Sequence, residues 1–155
     1  MSATLADDEL LITRTFDAPA ALMFAMWSDP AHFKNWMGPV GFECAEVSID
    51  FRVGGAYRAV IRSPQYGDSW FGGVYREIVP NTRLVFTFKW DEGPSGEVET
   101  LVTLTFEERD GRTAQLFHQT PFINVERRDS HIGGWNSAFD KEQAYVEKFA
   151  REQTS

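Results

Sequence analysis

Between residues 42 and 120 the chain runs as six short β-prone segments, each closed by turn chemistry, and this succession leaves few architectures open. The segments are 42–51, 56–62, 68–79, 83–90, 97–108 and 112–120. Within the fourth, Leu84, Phe86, Phe88 and Trp90 alternate with Val85, Thr87 and Lys89, the period of a strand with two unlike faces. Val102, Leu104 and Phe106 alternate with Thr103 and Thr105 in the same way. Between segments stand Gly54-Gly55, Pro80-Asn81, Gly93-Pro94-Ser95-Gly96 and Asp110-Gly111, the last being the strongest hairpin signal in the chain. Links this short join antiparallel neighbours, so the six segments form a meander.

Helical patterns flank the meander. Residues 10–16 read as a further strand, giving about seven in the sheet. Pro19 suits the first position of a helix, and Leu22, Met23, Met26 and Trp27 follow at helical spacing. Ser28-Asp29-Pro30 starts a second short helix, with Asp29 as cap. After the sheet, Asn124 can cap a long helix in which Ile132, Trp135, Phe139, Val146 and Phe149 share one face. The expected class is therefore α+β, ordered β-α-α-β6-α. Its strongly curved antiparallel sheet wraps a long C-terminal helix in a helix grip, and curvature beyond what one helix fills leaves a cavity. Residues 10–151 are expected to form one domain, with 1–9 and 152–155 flexible.

Charge removes several function classes. Acidic residues number 23 against 15 basic, a net charge of −8, so neither nucleic acid nor an anionic membrane surface is an expected partner. No apolar stretch approaches the ~20 residues that span a bilayer, and Asp7, Asp8 and Glu9 occupy a start with no apolar run. One cysteine, Cys44, excludes an internal disulfide and fits a reducing cytoplasm.

The chain lacks a phosphate-binding Gly-rich loop, a Cys-x-x-Cys pair, a His-Glu-x-x-His helix and a Gly-x-Ser-x-Gly elbow. His32, His118, His131 and Cys44 have no ligand spacing, so no metal and no cofactor is expected. What stands out is ring content: 13 Phe, 5 Trp and 4 Tyr either fill a core or line a cavity.

The run from Gly73 through Val74, Tyr75, Arg76, Glu77, Ile78, Val79, Pro80, Asn81, Thr82, Arg83 and Leu84 to Val85 resembles a known signature. It is similar to that of the activator of the 90-kDa heat-shock-protein ATPase, a branch of the START-like superfamily. Phe16-Asp17-Ala18-Pro19, Trp36, Asp50-Phe51-Arg52-Val53-Gly54-Gly55, Val102-Thr103-Leu104-Thr105-Phe106 and the run Arg128 to Trp135 agree, in order, from about Leu10 to Phe149. The resemblance implies the helix-grip fold. Relatives bind lipids, sterols or aromatic polyketides, some cyclise or hydrolyse them, and a minority are co-chaperones.

A ligand between helix and sheet would meet Phe86, Phe88 and Trp90 from one strand and Trp135 and Phe139 from the long helix. Trp27 would close one end, with Tyr57, Tyr75, His118 and His131 as further lining groups. Tyr75 and Glu77 would share one strand face, and residues 63–67 with Trp70-Phe71 would form a mobile lid. Glu142 falls on the apolar stripe with Phe139 and Val146, where relatives commonly carry an apolar residue. It is either a pocket acid of raised pKa, or it faces water or pairs with Arg58, Arg62 or Arg76 where helix and sheet diverge. The leading expectation is a non-enzymatic binder of a small apolar ligand. Alternatives are a cyclase or hydrolase with Glu142 as acid/base assisted by His131, and a co-chaperone. A homodimer through exposed sheet edges is a further expectation.

Overall fold

A computed structural model describes residues 6–92 and 98–154. The element order is β1 (Leu10–Phe16), α1 (Ala20–Ser28), α2 (Pro30–Phe33), β2 (Glu43–Ile49), β3 (Ala56–Ser63), β4 (Gly67–Val79), β5 (Arg83–Trp90), β6 (Thr100–Arg109), β7 (Arg112–Thr120) and α3 (Val125–Thr154). The expected turn at Gly93 to Gly96 and the start of the next strand at Glu97 lie outside the described residues, as do residues 1–5 of the N-terminal segment.

All seven strands form one open antiparallel sheet in the order β1-β7-β6-β5-β4-β3-β2. The meander β2 to β7 is the expected one. β1 closes onto β7, Leu10 opposite Gln119 and Phe16 opposite Thr113. The inward faces carry Leu10, Ile12 and Phe16 of β1, Val102, Leu104 and Phe106 of β6, and Leu84, Phe86 and Phe88 of β5. α3, about 45 Å long at 1.5 Å per residue, lies across this concave face and buries Trp135, Ala138, Phe139 and Val146.

Local chemistry sets the ends of these elements. Asp110 (φ 55°) and Gly111 (φ 78°) both lie in the left-handed region, as a two-residue hairpin of the tight type requires. Asn124 caps α3, its Oδ1 accepting from the Arg127 N–H at 2.8 Å. Asp29 caps α2 by accepting from the Ala31 N–H at 2.9 Å. α1 starts one residue later than expected: Pro19 is its cap rather than its first residue. The Ala20 N–H donates to Glu108 Oε1 at 2.6 Å, so a carboxylate from the far end of β6 serves α1.

The sheet coils where its ladders break. β2 has a register shift between Cys44 and Glu46, and β4 has one between Tyr75 and Glu77. The second shift separates Tyr75 from Glu77, contrary to the alternation read from sequence. Tyr75 is 3% exposed and faces inward, whereas Glu77 faces outward and accepts from Arg83 Nε at 2.8 Å. One extra residue in a strand reverses the faces that follow it. Just before, the Val74 N–H donates to the Thr87 side chain at 2.8 Å, and the Thr87 carbonyl accepts from Tyr57 Oη at 2.7 Å. A Cβ at Gly73 would fall on that carbonyl, so β4 crosses β5 here only as glycine.

Candidate functional site

The space between α3 and the sheet divides into a packed half and an open half. In the packed half, Trp27 lies 4.8 Å from Trp36, 6.0 Å from Phe86 and 6.0 Å from Phe117, ring centroid to centroid. Tyr57 lies 5.5 Å from Tyr75 and 5.4 Å from Phe86. The void among Trp27, Tyr57, Tyr75 and Phe86 is about 10 Å³, the least that holds one water. Phe139, 1% exposed, packs against Trp36, Phe117 and Trp135. These five expected lining residues are core.

The open half is a pocket of about 550 Å³ between the first turns of α3, the loop after α2, and the neighbouring ends of β3, β4 and β5. Phe88, Trp90, His131 and Trp135, all expected, line it. Met37, Phe42, Ile61, Tyr66 and Phe71 complete the apolar wall. Tyr66, on the expected lid segment, stacks on Phe42 at 5.9 Å and 4° across the mouth. The floor is open because Gly134 and Ala138 of α3 bring almost no side chain, and a Cβ at Gly134 would touch nothing. Asp68 and Asp91 stand on the rim, each held by an arginine, Arg62 and Arg58 respectively.

His131 lines the pocket with both ring nitrogens committed. The Trp90 indole is a donor only, so Nε2 of His131 must accept its bond at 2.9 Å. The proton then sits on Nδ1 and is donated to the Arg127 carbonyl at 2.7 Å. Burial pushes the His131 pKa below its usual value, against the raising effect of that carbonyl, and protonation would set two donors face to face with Trp90. His131 is thus a neutral wall group, with no free nitrogen for acid or base work.

Glu142 lies outside the pocket, in the packed half. Its side chain is 0% exposed. None of Arg58, Arg62 and Arg76 reaches it, since the first two pair with Asp91 and Asp68. Its neighbour is Gln115, which the alternation of β7 places on the inner face beside Phe117. The Trp27 indole donates to Gln115 Oε1 at 3.1 Å, and this turns the amide nitrogen toward Glu142 Oε1, also at 3.1 Å. Glu142 Oε2 has no partner among the described residues. Burial drives the carboxyl up to about 8, opposed by the Gln115 amide, the Arg14 charge and the nearby Trp27 N–H. The raised pKa is the expected one, but Glu142 does not line the pocket, face water or pair with those arginines: it lies among core side chains.

Gln119 repeats the device one step along β7. It accepts from the Trp135 indole at 2.8 Å and donates to Thr100 Oγ1 at 2.8 Å, which donates to the Phe88 carbonyl at 3.0 Å. Strand parity with Phe117 could have revealed both glutamines. The same parity puts His118 on the convex face, where Glu9 lies 2.8 Å from its Nε2. His118 therefore stands on the opposite side of the sheet from the pocket. Among the described residues, no cluster of side chains has metal-ligand geometry, and no helix is long and apolar enough to cross a membrane.

Solved structures with this arrangement are numerous. Protein CV1439 from Chromobacterium violaceum is 26% identical over 90% of this chain and 98% of its own, with a TM-score of 0.80. A protein from Rhizobium leguminosarum is also 26% identical, over 90% and 94%, with a TM-score of 0.74. The AHSA1 protein from Silicibacter pomeroyi is 23% identical over 89% and 96%, with a TM-score of 0.79. Comparison with curated proteins finds no match. The family model described as Activator of Hsp90 ATPase homolog 1-like protein matches residues 17–147, a span that includes both the pocket wall and the packed half. With that match over most of its length and the helix-grip fold beneath it, the chain belongs to the Activator of Hsp90 ATPase homolog 1-like family.

Proposed function

We propose that this chain binds a small hydrophobic molecule in the pocket beneath the first turns of α3, without chemically altering it. The observation that carries this reading is the contrast in packing. Rings fill the space around Trp27 down to a void of about 10 Å³, while about 550 Å³ stays open beside Trp90 and Trp135. That volume is in the usual range for small-ligand sites, about 300–1,000 Å³. Family membership agrees, because the fold is in general one that binds hydrophobic ligands. Two of the polar groups support a binding rather than a catalytic role. His131 has both nitrogens engaged, and Glu142 is walled off. Cys44 is no nucleophile either: burial raises its thiol to about 11, against the pull of Lys141 and Lys34, and a reducing cytoplasm suits it.

Two glycines of α3 make the test. Gly134 lines the pocket and Gly133 does not, and a Cβ on either meets open space. Gly134→Leu is expected to stabilise α3, by about 1 kcal/mol in helix propensity, while pushing a branched side chain into the pocket beside Trp135 and Ala138. Gly133→Ala gives a similar gain with the pocket intact. The neutral dye N-phenyl-1-naphthylamine should brighten with wild type and Gly133→Ala but not with Gly134→Leu. Absence of brightening with wild type, or equal brightening with Gly134→Leu, would reject the site.

A further inference from the structure

We infer that the pocket selects a monocarboxylate with an apolar body, its acid group held at the mouth by Arg127. This rests on the binding role just proposed and adds the chemistry of the ligand. Four arginines are half-buried: Arg14, Arg83, Arg127 and Arg128. Arg14 pairs with Asp140, Arg83 with Glu77 and Arg128 with Asp129. Among the described residues Arg127 has no carboxylate partner, and it is the one of the four that lines the pocket. A guanidinium is always charged and presents a planar fork of donors that matches a carboxylate, so half-burial without an anion leaves it short of partners.

The surroundings narrow the anion. Ser130 follows three residues later on the same face of α3 and lines the pocket, and its exposed hydroxyl has no hydrogen-bond partner among the described residues. It can add one O–H donor beside the Arg127 fork. The carboxylates that also line the pocket are Asp91 and Asp68, already paired with Arg58 and Arg62, and Glu92, which is exposed. These carboxylates disfavour a head group with more than one negative charge, and the chain as a whole carries −8. A single carboxylate satisfies Arg127 without overloading the rim. Behind it, Trp90, Phe88 and Trp135 offer a path of rings for the apolar remainder.

The test compares decanoate with 1-decanol at pH 7.5, each displacing N-phenyl-1-naphthylamine from the wild-type chain. The two differ at the head group alone, so the ratio of their affinities reads the contribution of the charge. A surplus of about ten-fold for decanoate is expected, the scale of a charge-assisted over a neutral hydrogen bond. In Arg127→Gln the ratio should fall to near one, and in Arg127→Lys a preference for the acid should return. Equal affinities in wild type, or an Arg127→Gln ratio as large as that of wild type, would overturn the inference and leave the apolar site standing. If the dye brightens but neither compound displaces it, this inference fails and the apolar site stands; if the dye does not brighten with wild type, the site fails and this inference with it.

Discussion

Replacing Glu142 by glutamine removes a titration from the core while keeping the shape of the side chain. The carboxyl is fully buried, one oxygen accepts from Gln115, and the other has no partner among the described residues. Its pKa stands at about 8 in the folded chain, against 4.5 for an exposed glutamate. Between those values the folded protein holds a proton that the unfolded chain has released. Raising the pH therefore favours unfolding, by about 1.4 kcal/mol per pH unit from this group. The contribution is fully present below about pH 4.5 and is lost as pH rises through about 8. A gap of about 3.5 units corresponds to a total of about 5 kcal/mol, and to about 4 kcal/mol between pH 5 and pH 8. Glu142→Gln has a constant offset, about 1–3 kcal/mol for an amide N–H placed where Oε2 finds no acceptor. The slope, not the offset, is the signature. Urea unfolding of both chains at pH 5, 6.5 and 8 measures it, since every other titrating group is common to the two. The stability of Glu142→Gln relative to wild type should climb steadily with pH. A difference that stays flat from pH 5 to pH 8 would refute the account of a buried carboxyl held in its neutral form.

Three further outcomes follow from named contacts. Arg14, cross-strand from Gln115, lowers the Glu142 pKa by its charge. Arg14→Gln should therefore extend the pH window of Glu142 upward, seen in the same urea series as a slope persisting to higher pH. Trp90→Phe frees Nε2 of His131 from a donor. The imidazole should then titrate at higher pH than in wild type, measured by ring-proton NMR, and an unchanged midpoint would contradict the assigned tautomer. Gly73→Ala places a methyl group on the Thr87 carbonyl. A loss of about 1–3 kcal/mol in urea unfolding is expected for such overpacking, and a stabilised variant would mean that β4 does not cross β5 so closely.

The sequence alone determined the elements and their order, because their signals are local. Alternation in residues 83–90 and 100–106, paired left-handed positions at Asp110-Gly111, and the Asn124 cap before Trp135 and Phe139 each act within a few residues. The inward face of β5 and the buried stripe of α3 were legible for the same reason. Tertiary structure alone decided which inward residues are core and which are wall. Phe86 and Phe88 share a strand face, yet Phe86 is locked against Tyr57 and Trp27 while Phe88 borders the pocket. That division depends on where α3 lies over a coiled sheet, a distance no local pattern encodes. The bulge at Tyr75/Glu77 belongs to the same class, since one unpaired residue reverses every face beyond it. Glu142 shows the limit most sharply. Helical period put it on the buried face, but its neutral state follows from complete burial under α1 and β7, elements that meet α3 only in the folded chain, and it holds against the opposing bond from Gln115.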